Sequence, residues 1–113
     1  MAHRDLLTVE DRVRLLVNAI SDERDHAPVV KLFTPDANAT WLMSEVDPDD
    51  VDRLFGLCDL GTGYPELGYV SLAELSMLRG PLGLPLERDE YFSTDRPLST
   101  YADEARTKGR VVT

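Results

Sequence analysis

The spacing of apolar residues predicts a helix near the start of the chain. Five of them recur three or four positions apart and share one helical face: Val9, Val13, Leu16, Val17 and Ile20. Thr8 precedes this face as a capping residue, and Asp11 stands at the third helical position, as in a capping box. The polar stretch that follows, residues 21–28, has no apolar period and is interpreted as a linker.

Four strand patterns follow the linker. Residues 29–33 are dominated by β-branched and aromatic side chains, and the turn residues directly after them predict a hairpin with residues 39–46. Residues 54–60 and 66–70 predict a third and a fourth strand, connected by a glycine-rich turn at residues 61–65.

Helix signals occur at two places around these strands. Asp47 and Pro48 fit the cap and the first position of a helix, so a single helical turn is predicted between the second and third strands. Ser71 and Glu74 form a capping-box pattern for a second helix, which Gly80 is predicted to end.

The C-terminal part completes the predicted fold. Residues 85–92 predict an edge-type strand, and Ser99 is predicted to cap a final helix that ends at Gly109. This order of elements predicts an α+β fold, a mainly antiparallel meander of four to five strands with about three helices in a single domain. Within it, residues 1–27 are assigned to the N-terminal helix and linker, and residues 28–113 to the α+β domain.

Two of the predicted strands are apolar on both faces. In the segments TWLM and LFGLC, apolar residues do not alternate with polar ones. Both faces of the sheet then need cover, either from the helices or from a second copy of the chain. A homodimer is therefore expected, with complete cover by the helices as the alternative.

Composition fits an ordinary globular domain. Of the 113 residues, 42% are hydrophobic and 29% charged. The apolar runs are shorter than the roughly 18 residues of a membrane span, and the first residues lack the apolar region of a secretory signal. The single cysteine, Cys58, suits a reducing compartment. We expect a cytoplasmic protein with no membrane association.

Negative charge is concentrated in the middle of the chain. Of the formal net charge of −9, the stretch from Asp36 to Glu66 carries −7, from eight acidic residues and one arginine. This distribution disfavours direct nucleic-acid binding, which depends on basic surfaces, and it favours basic partners. We expect a protein partner, for which a DNA-binding protein is one candidate, with the acidic residues then imitating DNA phosphates.

Two groups of residues are the candidate contact sites for such a partner. They are the acidic group Asp47, Asp49, Asp50 and Asp52, and the turn group Gly61, Gly63, Tyr64 and Glu66. The acidic group does not fit a calcium loop, because Asp52 stands where the loop needs glycine and Cys58 where it needs glutamate. The turn group does not fit a nucleotide loop, because Glu66 replaces the third glycine. No metal and no cofactor are therefore expected.

Catalytic signals are weak. No nucleophile elbow occurs, and the two histidines, His3 and His26, fall in a predicted N-terminal tail and in the linker. The chain is therefore interpreted as a non-enzymatic interaction module. The alternative is a small enzyme that uses Asp59, Glu66 and Tyr64 beside the glycine-rich turn. In that case Asp59 is a buried acid, whereas the competing interpretation places it at an exposed strand end.

Three segments carry a resemblance to a known family: VKLFTPDANATWLMSEVDPDD, FGLCDLGTGYPELGYVSLAEL and LRGPLGLPLERD. They resemble the bacterial DUF2958 family, a domain of unknown function. The resemblance implies an accessory protein encoded on plasmids and integrative conjugative elements, that is, on mobile genetic elements. It implies no catalytic residue, cofactor or ligand, so the expected function is binding or regulation of a host protein.

Overall fold

The computed structural model describes residues 5–113, which form three helices and five strands: α1 Val9–Ile20, β1 Val30–Phe33, β2 Thr40–Asp47, β3 Asp50–Asp59, β4 Glu66–Ser71, α2 Leu72–Met77, β5 Glu87–Arg88 and α3 Leu98–Lys108. The strands pair antiparallel in one sheet, in the order β4-β3-β2-β1-β5. The predicted α+β class is confirmed. None of the helices in this range has the length and apolar character needed to cross a membrane. His3, expected in a tail, lies outside the described residues.

The predicted helical turn at Asp47 and Pro48 is wrong, because the chain forms a tight hairpin there. Asp47 pairs with Asp50 across the hairpin, and Pro48 and Asp49 are its turn residues. The carboxylate of Asp47 accepts the N–H of Asp49 at 2.9 Å, and that of Asp50 accepts the N–H of Asp52 at 3.1 Å. Such local acceptors stabilise a turn as well as a helix start, so β3 begins earlier than predicted.

Two predicted helix boundaries differ from the observed ones. α2 ends at Met77 and not at Gly80. Gly80 instead lies against the carboxylate of Asp36, where an added Cβ would collide. Ser99 does not cap α3, because it lies inside the helix and its N–H donates to Asp25 of the linker at 3.1 Å. Both contacts join residues far apart in the sequence, so local pattern does not show them.

Helices cover both faces of the sheet. On one face, α1 and α2 pack against the central strands, and the buried cluster includes Leu15, Leu72, Leu75, Trp41 and Met43. On the other face, α3 packs against the sheet, and the buried cluster includes Leu98, Tyr101, Ala105, Leu42 and Leu57. This cover explains why the TWLM and LFGLC segments are apolar on both sides. The homodimer is not needed for it and stays a prediction.

Candidate functional site

The apolar face of α1 points away from the sheet. We call it the outer face, and it consists of Val9, Val13, Leu16, Val17 and Ile20. Their exposed fractions range from 41% for Leu16 to 79% for Val9. The buried residues of the helix, Asp11 and Leu15, lie on the opposite side. A surface helix normally turns its apolar stripe towards the core, so α1 has the reverse orientation.

Polar contacts hold α1 in this orientation. The Asp11 carboxylate, only 2% exposed, forms a bidentate ion pair with Arg88 of β5 at N–O distances of 2.7 and 2.9 Å. It also accepts the N–H of Thr8 at 3.0 Å, which completes the predicted capping box. Asn18 Nδ2 donates to the carbonyl oxygen of Ser44 on β2 at 2.9 Å. These contacts fix which side of the helix faces the sheet.

The Asp11–Arg88 pair is charged at neutral pH. Burial alone would raise the pKa of Asp11, but hydrogen bonds from Arg88 and from the Thr8 N–H outweigh it, and the pKa lies below its ordinary value. Through the same hydrogen bond, the Asp11 carboxylate raises the pKa of Arg88. α1 is therefore attached to the sheet by an ion pair that persists across the physiological range.

An apolar groove of about 310 Å³ lies between α1 and the β2–β3 hairpin. Its walls include Val13 and Leu16 on the helix and Val46, Val51 and Leu54 on the hairpin. Val51, close to the hairpin turn, is 66% exposed. Because Val13 and Leu16 belong to both features, the groove and the outer face form one continuous apolar surface.

The two groups of predicted contact residues lie at opposite ends of β3. The acidic group surrounds the β2–β3 turn, and the turn group follows the other end of the strand. A strand of 10 residues spans about 30 Å. The two groups therefore do not form one contact surface.

Asp52 of the acidic group is half-exposed and bonds to the start of α2. Its carboxylate accepts the hydroxyl of Ser71 at 2.6 Å and the N–H of Ala73 at 2.7 Å. These hydrogen bonds lower the pKa of Asp52. The residue thus helps to begin α2, and both of its oxygens already accept hydrogen bonds within the chain.

Of the other charges at the β2–β3 turn, Asp49 and Asp50 are exposed and Asp47 is half-buried. Asp47 lies 3.8 Å from Arg53 in a surface ion pair, which is a weak interaction. Among residues 5–113, Asp49 and Asp50 form no ion pair. They stand directly before Val51, so negative charge borders the groove at this end.

The predicted turn at residues 61–65 is confirmed. Gly61 and Gly63 have φ angles of 81° and 92°, in the left-handed region that favours glycine. Tyr64 is highly exposed, and Glu66, also exposed, begins β4 opposite Cys58. The glycines therefore serve the turn, while Tyr64 is accessible to a partner.

Asp59 is a buried acid, 2% exposed, and not an exposed strand-end acid. Its two oxygens accept the N–H of Gly61 at 2.8 Å and the N–H of Val111 at 2.9 Å, which ties the C-terminal segment to the sheet. A polar depression of about 630 Å³ adjoins it. In the described chain, Tyr64 and Glu66 do not line this depression. The three residues of the enzyme alternative therefore do not share one pocket.

Cys58 is a poor nucleophile at neutral pH. Its side chain is half-buried, and burial, with a smaller contribution from the nearby Glu66 carboxylate, raises the pKa of the thiol to about 11. The thiolate is the reactive form, so the cysteine reacts slowly. Within the part of the chain that the structure describes, no group of three His, Cys, Asp or Glu side chains could hold a metal ion.

The outer face was missed as a candidate site, although its residues were identified as one helical face. Periodicity predicts that an amphipathic helix exists, but not which side meets the sheet. One signal was present. Asp11 and Asn18 stand on the side opposite the apolar stripe, where they were available to bond to the rest of the fold.

Comparison with known proteins identifies a family for this chain. A family model described as "Protein of unknown function (DUF2958)" matches residues 6–112. Neither the curated proteins nor the solved structures contain a significant match to the chain. The match covers every helix and strand described above.

Proposed function

We propose that this chain, which belongs to the DUF2958 family, is a non-enzymatic protein-interaction module that binds through the outer face of α1. The observation that carries the proposal is the reverse orientation of the helix. Five apolar side chains face solvent while an aspartate and an asparagine on the same helix bond to the sheet. Contiguous exposed apolar patches on soluble domains mark interaction sites.

The energetics of α1 support a partner. Fully burying a valine, leucine or isoleucine side chain stabilises a protein by about 1.5–3 kcal/mol. In the isolated chain the five side chains of the outer face are 41% to 79% exposed, so much of this stabilisation is absent. The same helix turned about its axis would bury them. A protein that covers the outer face would recover this burial and leave the Asp11–Arg88 pair in place.

The hypothesis that the acidic residues imitate DNA phosphates and bind a DNA-binding protein has less support. Of the four acidic residues in the candidate contact group, Asp52 is bonded to α2 and Asp47 lies beside Arg53. Asp49 and Asp50 remain as open charges. The family resemblance alone supports a role in a mobile genetic element and the regulation of a host protein. We include both in the proposal as the expected biological context.

A photo-crosslinking experiment tests the proposal. Benzoylphenylalanine replaces Val13 in the chain produced in its host cells, and the same residue replaces Lys108, exposed on α3 at the other face of the sheet. Irradiation is expected to give a discrete adduct of higher mass from position 13 and none from position 108. Adding Ile20→Glu should remove the adduct, because a charge on the outer face opposes apolar contact.

The same experiment has clear opposing outcomes. The absence of an adduct at position 13, or adducts of equal yield at both positions, would remove the basis for an interaction site at α1. An adduct that survives Ile20→Glu would place the contact elsewhere. Circular dichroism of each variant shows whether the fold is retained.

A further inference from the structure

The outer face of α1 has the spacing of a coiled-coil seam. Val9, Val13, Leu16 and Ile20 follow one another at intervals of four, three and four residues, which is the alternation of the two apolar positions in a heptad. A seam of this kind packs against another helix with the same alternation. The chain itself provides such a helix in every copy.

We propose that the outer face binds the outer face of a second copy, with the two α1 helices antiparallel across a two-fold axis. This rests on the proposed function, because it names the protein that docks there. In this alignment Val9 lies against Ile20 of the second copy, and Val13 against Leu16 of the second copy. A two-fold interface uses the same patch on both subunits, and the seam meets this requirement because its spacing reads the same in both directions.

The residues around the seam are compatible with this pairing. No charged residue lies in the seam, and the four charged residues of the helix, Glu10, Asp11, Arg12 and Arg14, stand outside it. Arg12 is paired with Asp5 at 2.8 Å. The pairing therefore buries apolar side chains without burying an unpaired charge, which would oppose association.

The groove extends the interface beyond the helix. A helix of 12 residues is about 18 Å long, and its seam alone covers less than the roughly 800 Å² per partner of a standard stable interface. Val51 on the β2–β3 hairpin, which is exposed, continues the apolar surface beside the seam. The two-fold axis repeats this extension on both sides.

Charge predicts how the pairing responds to salt. Each copy carries a formal net charge of −9, and Asp49 and Asp50 stand beside the groove, so two copies repel each other at long range. Salt screens this repulsion. Self-association should therefore strengthen with salt, whereas a complex with a basic protein would weaken.

Light scattering coupled to size-exclusion chromatography tests the inference. The wild-type chain is expected to elute with twice the mass of one 12.7 kDa chain. Val13→Glu should weaken self-association roughly 100-fold, because it places a carboxylate in the apolar seam. Leu82→Glu is the matched control, since it places the same charge at an exposed leucine on the loop after α2, and it should leave the dimer intact. Circular dichroism confirms that both variants are folded.

The outcomes separate this inference from the proposed function. A monomeric wild type at high concentration, a dimer that Val13→Glu leaves intact, or a dimer that weakens between about 50 and about 500 mM salt would each overturn it. If the wild type is monomeric but position 13 crosslinks to a different protein, the interaction role stands and only the second copy is wrong. If there is neither a dimer nor an adduct, both the proposed interaction role of α1 and the pairing of two copies are wrong.

Discussion

Gly56→Ala is expected to lower the free energy of unfolding by about 3 kcal/mol or more, the upper range for overpacking a well-packed interior. Gly56 lies in the centre of β3, and an added Cβ would collide with the carbonyl oxygen of Leu42 and come within 2.7 Å of the Met43 side chain. The carbonyl belongs to the neighbouring strand of the sheet, so it cannot move aside as a flexible side chain would.

The control for this prediction is the glycine that pairs with Gly56 on the neighbouring strand. Gly68 of β4 pairs with Gly56, yet a Cβ added at Gly68 would meet no atom within 4 Å. Gly68→Ala should therefore change stability by no more than about 0.5 kcal/mol. Chemical denaturation of both variants checks the comparison. Equal losses would show that Gly56 is not in close contact with β2.

Arg88→Met is expected to destabilise the protein by about 3 kcal/mol at pH 7, because it leaves the buried Asp11 carboxylate without its partner. The loss should shrink in the double variant Asp11→Asn, Arg88→Met, in which no charge remains to be buried. Denaturant unfolding of the wild type and both variants measures these differences. If the single variant is as stable as the wild type, the ion pair does not hold α1.

The pH dependence of this pair has a defined sign. The pKa of Asp11 is lower in the folded chain than in the unfolded one, so its contribution is present above the unfolded value of about 3.9. It is lost as the pH falls through the folded value. The gap in stability between the wild type and Arg88→Met should therefore be largest near neutral pH and narrow as the pH approaches 3. If the difference in stability between the wild type and Arg88→Met did not change with pH, Asp11 and Arg88 would not form a charged pair.

Local pattern predicted the elements whose signals lie close together in the chain. The Thr8 cap of α1 and the left-handed Gly109 at the end of α3 were predicted correctly, and so was the turn between β3 and β4. In each case the residue that determines the local conformation lies within a few positions of the helix end or turn that it forms. The mistaken helical turn at Asp47 had equally good local signals, because aspartate and proline favour both helix starts and hairpin turns.

Contacts between distant residues set the parts that the pattern did not predict. Asp25 bonds to the first turn of α3, and Asp52 to the first turn of α2. The orientation of α1 depends on Arg88, which lies 77 positions from Asp11 in the sequence. The candidate site exists because α1 has this orientation. The sequence therefore showed which residues form the apolar face, but it did not show that this face is exposed.

Thiol labelling tests most directly whether a protein covers the outer face of α1. Val13→Cys is labelled with a membrane-permeant maleimide in purified protein, diluted until it elutes as a monomer, and in intact cells, and Lys108→Cys serves as the exposed reference. Cys58 contributes little background, because it is half-buried and the pKa of its thiol is about 11. We predict that position 13 reacts as fast as position 108 in dilute protein and at least about tenfold more slowly in cells, since contact in a protein interface excludes the reagent. Equal rates at the two positions in cells would contradict the account and leave the outer face of α1 as an uncovered surface.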